Sequence, residues 1–165
     1  MNAICVFKDT LKGTVRFHQC KPESETKVII RLSGFKPKTE HAIHIHEYGD
    51  LSDGCTSACA HYNPHGTLHG SFELFGKDRH VGDLKVSNLL ANRKGEVKIE
   101  FFDDLIDLFG SKTIIGRSVV IHEKEDDLGR YRDNDDERGK ESGLTGNAGK
   151  RIDCSVIGVC KKAEK

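Results

Sequence analysis

Short runs in which apolar and polar residues alternate every second position dominate the first third of the chain, with no sustained helical spacing. Segments 3–8 (AICVFK), 14–20 (TVRFHQC) and 27–33 (KVIIRLS) are rich in β-branched or aromatic residues and end at Gly, Pro, Lys or Asp turns, so each is expected to be a strand. In the second, Val15, Phe17 and Gln19 alternate with Arg16, His18 and Cys20, the pattern of a half-buried strand. Further strands are expected at 41–47 (HAIHIHE), 83–88, 95–102, 113–121 (ending on His122) and 153–160. Two long polar stretches, about 48–81 and 123–150, interrupt the series, and loops of that length inside a compact domain are uncommon unless functional or tied down. Eight short strands without a convincing helix predict an all-β fold, an antiparallel Greek-key barrel or sandwich. No internal repeat is visible, and residues 1–165 are expected to form a single domain.

Composition narrows the function classes. Lysine plus arginine number 26 and aspartate plus glutamate 26, so no net charge points to nucleic acid or an anionic membrane. No apolar run is long enough to span a bilayer, and the start MNAICVFKDT lacks the basic-then-apolar character of a signal peptide, so a soluble cytoplasmic protein is expected. In such a compartment the six cysteines are expected to be free thiols or metal ligands, and they form no CxxC pair.

The chemistry concentrates in the histidines. His44 and His46 lie two apart in HIHE, so a strand would present both imidazoles on one face, with Ile43 and Ile45 on the other. His122 ends another expected strand. His61, His69 and His80 lie in the first long loop, and Asp83 closes it. A single histidine is ordinarily a surface or hydrogen-bonded residue, but this constellation points to a mononuclear or binuclear metal site. Imidazole without thiolate suits zinc or copper(II), and a carboxylate joining histidine suits zinc.

Several long motifs, AIHIHEYGD, GCTSACAHYNPHG, RHVGDL at 79–84, IIGRSVVIHEK, HEKEDDLG at 122–129 and GNAGKR at 146–151 followed by DCSVIGV, occur in one order from end to end, and together they resemble the Cu,Zn superoxide dismutases. The resemblance implies an immunoglobulin-like Greek-key β-sandwich and the disproportionation of superoxide to dioxygen and hydrogen peroxide. It implies copper on His44, His46, His61 and His122, zinc on His61, His69, His80 and Asp83, and His61 shared between the two ions. Asp126 matches the aspartate that orients one histidine of each ion, here His44 and His69, and Arg151 matches the arginine beside the open copper position. Lys124 and Lys150 are candidates for added positive potential. Cys55 and Cys154 match an intrachain disulfide, against the free-thiol expectation from composition; closing a loop of about 100 residues is worth roughly 4–5 kcal/mol in the chain-entropy model. Cys5, Cys20, Cys59 and Cys160 are left as free thiols, and His18, His41 and His65 as structural, with His41 a candidate for a hydrogen bond across a loop.

The resemblance also implies a homodimer built on positions that here include Cys5, Tyr48, Gly49, Ile115, Gly116, Ile157 and Gly158, and loading by a copper chaperone. Some positions depart from the family pattern. Cys59-Ala60 and Ser71-Phe72 stand where Gly-Pro is common, Lys85 where glycine is frequent, and Asp153 where a small residue is usual. Losing Gly and Pro raises the cost of ordering the first loop, so weaker zinc retention is expected. The acidic stretch 130–142 is longer than in animal and plant members and reads as a solvated loop. Two rival classes are a copper chaperone, for which the chain lacks an MxCxxC domain and a C-terminal CxC, and an inactive metal-binding relative.

Overall fold

The computed structural model describes residues 1–161. Two antiparallel sheets enclose one core. The first is ordered β10-β1-β2-β3-β7 and the second β6-β4-β8-β9. Their strands are β1 (Asn2–Phe7), β2 (Lys12–His18), β3 (Thr26–Ser33), β4 (Glu40–His46), β6 (Asp83–Leu90), β7 (Glu96–Asp103), β8 (Ser118–His122), β9 (Arg151–Val156) and β10 (Gly158–Val159). A short β5 (Ser52–Cys55) lies outside both sheets. The crossovers β3–β7 and β4–β8 join strands distant in sequence, and neither sheet closes into a barrel.

The alternation read from sequence sets the interior. Ala3, Cys5 and Phe7 of β1, Val15 and Phe17 of β2, and Val28, Ile30 and Leu32 of β3 meet Ile43, Ile45, Val119 and Ile121 of the second sheet in one hydrophobic cluster. β4 and β8 differ from the outer strands, because Ala42 to His46 and all five residues of β8 are buried. One face of each packs on the core. The other lies beneath the two long loops, and that face carries His44, His46 and His122.

Four features depart from the sequence reading. β8 begins at Ser118 rather than 113, and the last strand divides around Ile157. The expectation of no helix fails twice, at α1 (Phe72–Phe75) and α2 (Glu137–Thr145). Both are local end effects: Ser71 Oγ accepts from Leu74 N–H, Asp136 Oδ1 accepts from Gly139 N–H, and Gly146 ends α2 in the left-handed conformation. The stretch 130–142 therefore contains most of a capped helix rather than an unstructured loop.

Asp153 is also accounted for. Its carboxylate is buried and accepts from Leu11 N–H at 2.7 Å and Cys154 N–H at 2.8 Å, tying β9 to the turn before β2.

Candidate metal centre

Sheet register delivers half of the centre. His44 is paired with Asp83 across β4–β6, just beyond an irregularity after Ala42, and with Val120 across β4–β8. His122 is paired with Arg151 across β8–β9, again at an irregularity. Such bulges re-aim side chains beside functional sites. The remaining histidines arrive on the first loop, which is stitched to β4 by backbone: Tyr62 N–H donates to Ile45 O, Gly82 N–H to Tyr62 O, and Ile45 N–H to Gly82 O, all at 2.8–2.9 Å. Gly82 is essential to this knot, since a Cβ there would sit 2.1 Å from Ile45 O.

The result is two adjoining groups of buried donors. His44, His46, His61 and His122 bring one nitrogen each within 4.8 Å of one another; so do His44, His61 and His69 with a carboxylate oxygen of Asp83. His80 joins the second group, its Nδ1 lying 3.4 Å from both His61 Nδ1 and Asp83 Oδ2. His61 belongs to both sides. Its ring centre lies 4.0 Å from that of His44 and 5.0 Å from His46 on one side, and 5.3 Å from His69 and 5.5 Å from His80 on the other. His61 Nδ1 is 2.9 Å from Asp83 Oδ1, while its Nε2 points the opposite way.

These donors fit metal ions. His44 Nδ1 and His61 Nε2 are buried with no hydrogen-bond partner, an arrangement that costs free energy unless something else binds there. His46 Nε2 and His122 Nε2 face each other at 3.3 Å, where two lone pairs would repel unless a cation or proton lay between. The other nitrogens are already taken. His46 Nδ1 donates to Cys59 O at 2.7 Å, and His44 Nε2 and His69 Nε2 contact the two oxygens of Asp126 at 2.8 Å each. Partners of this kind fix ring orientation and tautomer. Four imidazoles suit copper or zinc, and three with a carboxylate suit zinc.

Electrostatics separates the two sides. Burial holds His44, His46, His61 and His122 below the ordinary histidine range, His46 at about 2 and His122 at about 4, so all four are neutral and available as ligands at pH 7. Burial opposes protonation of His69 too, but Asp83 and Asp126 flanking its ring outweigh it and raise its pKa to about 10. Asp83 is desolvated as well, yet its contacts with His69, His61 and His80 hold it well below the usual carboxylate range.

A cleft of about 590 Å³ opens onto the exposed side of the centre, lined by His46, His61, His80, His122, Lys124 and Arg151. The Arg151 guanidinium donates to Cys55 O at 2.6 Å, to Thr56 O at 3.2 Å and to Cys59 O. Burial lowers its pKa from the ordinary arginine value. Cys55 and Cys154 form a disulfide spanning 99 residues, which holds β5 against β9 close to those carbonyls. Lys150 is exposed and does not line the cleft. His41 bridges a loop as expected, with Nδ1 on His122 O and Nε2 on Thr39 Oγ1, both at 2.8 Å, while His18 and His65 lie elsewhere.

Sequence reasoning missed the residues that hold the loops. Gly146 is one. A Cβ there would lie 2.1 Å from Asp126 Oδ1 and 2.5 Å from His69 Nε2, and its φ is +66°. Arg132 is another. Its guanidinium lies 3.4 Å from the Phe75 ring centre and donates to His69 O at 3.2 Å, Asp78 O at 3.3 Å and Asp78 Oδ2 at 3.1 Å. Phe72 and Lys85, read separately as departures, touch each other, the Lys85 ammonium lying 4.2 Å from the ring centre.

Comparison with known proteins places the arrangement. The family described as copper/zinc superoxide dismutase (SODC) matches residues 11–157. A superoxide dismutase [Cu-Zn] of Paramecium bursaria Chlorella virus 1 is 49% identical over 98% of this chain and 80% of its own length. Superoxide dismutase [Cu-Zn] 5 of Dictyostelium discoideum is 43% identical over 98% of this chain and 99% of its own, and that of Schizosaccharomyces pombe 42% identical over 96% and 98%. The crystal structure of the clock protein EA4 superposes with a TM-score of 0.83 at 39% identity, covering 96% of this chain and 94% of that one. With donor sets that suit copper and zinc and this breadth of similarity, the chain belongs to the copper/zinc superoxide dismutase family.

Proposed function

We propose that this protein disproportionates superoxide to dioxygen and hydrogen peroxide, with His44, His46, His61 and His122 holding copper and His61, His69, His80 and Asp83 holding zinc. The observation that carries the reading is the position of His61, whose ring lies where two adjoining groups of buried donors meet, with Nδ1 beside Asp83 and Nε2 buried without a partner. When bound, copper supplies one-electron exchange with superoxide and zinc a fixed positive charge on the shared ring.

The protein's own residues do the rest. His61 is held through Nδ1 beside Asp83, so its ring stays in place while Nε2, at the other end of the ring, takes up a proton and gives it to the reduced oxygen species. Arg151 offers a cation at the cleft wall, where three backbone carbonyls fix its guanidinium. A fixed guanidinium both attracts a small anion and hydrogen-bonds it as charge builds. Lys124 adds positive potential on the same wall. Superoxide dismutases are the standard example of such electrostatic steering of a small anion. Asp126, reached by His44 and His69, keeps one histidine of each ion in register with the other.

The assay is superoxide consumption by copper- and zinc-reconstituted protein, with His46→Ala and Arg151→Ala as controls. Activity lost in the first and reduced in the second supports the reading; a metal-storage relative would bind both ions and leave superoxide untouched.

The same proposal covers a single domain over 1–165, supported by one core cluster running from Ala3 to Ile157. It covers a homodimer, supported by exposed apolar side chains at Tyr48, Val156 and Val159 beside Gly49 and Gly158. Cys5 and Ile157 leave that surface, because both are buried within the chain. It also covers a cytoplasmic setting with loading by a copper chaperone. Four free cysteines beside one disulfide favour a reducing compartment, and no helix among the described residues is long and apolar enough to cross a membrane.

A further inference from the structure

Of the four free cysteines, one stands in a relay of its own, remote in sequence from every metal donor. Cys20 Sγ lies 3.4 Å from His18 Nε2, and His18 Nδ1 lies 2.7 Å from Asn2 Oδ1. The register of β1 and β2 pairs Asn2 with His18, so the ring is held from the neighbouring strand rather than by its own turn. The amide oxygen accepts the Nδ1 proton, which leaves the Nε2 lone pair to accept the proton of the thiol. A nucleophile within hydrogen-bond reach of a base, with the base oriented by a third group, is the arrangement that activates a side chain for covalent chemistry.

Access follows the same line. Cys20 is exposed, whereas His18 and Asn2 are half-buried and so held in place. The other thiols serve as internal references. Cys5 is buried, and burial pushes its thiol pKa up, away from the reactive thiolate. Cys59 is exposed and Cys160 half-buried, but among the described residues Cys20 is the one thiol hydrogen-bonded to an imidazole.

We propose that Cys20, with His18 as its base and Asn2 orienting the ring, is a peroxide-reactive thiol, oxidised by the hydrogen peroxide that superoxide disproportionation releases. His18 takes the thiol proton. The sulfur attacks one peroxide oxygen, the O–O bond breaks, and the departing hydroxide takes the proton from His18 and leaves as water. The balance is Cys–SH + H2O2 → Cys–SOH + H2O: sulfur loses two electrons and the peroxide bond gains them. The proposal rests on the dismutase reading for the source of peroxide alone; the chemistry of the relay is independent of it.

The test adds hydrogen peroxide directly, so a failed dismutase assay and a failed relay remain distinguishable. The full-length, metal-loaded protein is treated with hydrogen peroxide in the presence of dimedone, which traps sulfenic acid, and the adduct at each cysteine is followed by peptide mass spectrometry. Cys20 is expected to label about tenfold faster than Cys59 or Cys160, and His18→Gln to bring it down to their rate. Asn2→Ala, which leaves the imidazole present but unoriented, is expected to give an intermediate rate. Cys20→Ser is expected to leave superoxide consumption unchanged. Equal labelling at Cys20 and Cys59, or a Cys20 rate unmoved by His18→Gln, overturns the proposal. Thermal unfolding of each variant separates loss of the relay from loss of the fold.

Discussion

The two sides of the centre are built differently. His44, His46 and His122 sit on β4 and β8, strands buried on both faces and paired to each other in the middle of a sheet. His69 and His80 sit on a loop whose order is borrowed from elsewhere: the backbone knot at Ile45, Tyr62 and Gly82, the Ser71 cap, and Arg132 from the second loop. A strand-borne ligand set is pre-organised by the same burial that folds the domain. A loop-borne set depends on a few contacts that each work over a short range. On the proposed assignment, the copper side should therefore tolerate surface changes that loosen the zinc side.

The most severe single substitution for breaking this contrast is at the point where the sides are tied. Gly146→Ala places a methyl group against Asp126 Oδ1 and His69 Nε2 at a positive φ. The expected result is destabilisation of about 2–4 kcal/mol together with loss of tight zinc binding, read by denaturant unfolding and metal analysis. Retention of wild-type stability would mean that Gly146 is not the close approach described.

Arg151→Ala comes next in size and concerns the cleft rather than the frame. Turnover of superoxide is expected to fall about tenfold and to lose much of its ionic-strength dependence, with metal content unchanged. A fall in bound copper of the same size would reassign Arg151 to holding the Cys55–Cys59 backbone alone.

Titration separates the sides without any substitution. His46 and His122 have folded pKa values of about 2 and about 4, below the unfolded value of about 6.5, so the unfolded chain takes up protons that the folded chain refuses. The metal-free protein should then lose stability as pH falls from about 6.5, by up to ~1.4 kcal/mol per unit for each such histidine. His69 runs the other way. Its folded pKa of about 10 gives a contribution complete below pH 6.5 and lost as pH rises towards 10. Unfolding of metal-free protein at pH 4.5, 6.5 and 9 should thus show greatest stability near the middle value, and a flat profile would contradict the burial of these rings.

The smallest expected effect sharpens the comparison most. Arg132→Ala removes the stacking on Phe75 and the bonds to His69 O and Asp78. Zinc dissociation should quicken several-fold while copper affinity stays unchanged, and Arg132→Lys should recover part of it. Equal effects on both ions would show the loop and strand sides to be one unit. The Ser71 cap, the Phe72–Lys85 contact and Arg132 hold the same loop, so the weaker zinc retention expected from sequence should deepen when any of these contacts is removed.

The same division explains what could be read from the chain. His44 and His46 were legible by themselves, since period two puts both on one strand face, and the core positions of β1 to β3 followed the same rule. Asp126 and the Cys55–Cys154 bond came only through resemblance to a family, because neither leaves a periodic trace. Gly82 and Gly146 lie inside the matching motifs RHVGDL and GNAGKR, yet neither their role nor that of Arg132 could be read there. Each acts through a close approach between segments far apart in sequence, which a local pattern does not encode. α2 did leave a signal, an aspartate cap at Asp136 with Glu137 in the first turn and Gly146 just past the end. Gly139 and Gly143 within it, and the lack of an apolar stripe, hid that signal.

All of this turns on one ring serving two sites. Diffraction from crystals of the copper- and zinc-loaded protein, with anomalous differences recorded at each metal's absorption edge, tests it directly. A copper peak enclosed by His44, His46 and His122 is expected, with a zinc peak enclosed by His69, His80 and Asp83 and the imidazole of His61 between them. A single mixed peak, or two peaks of which one is out of reach of His61, would contradict it.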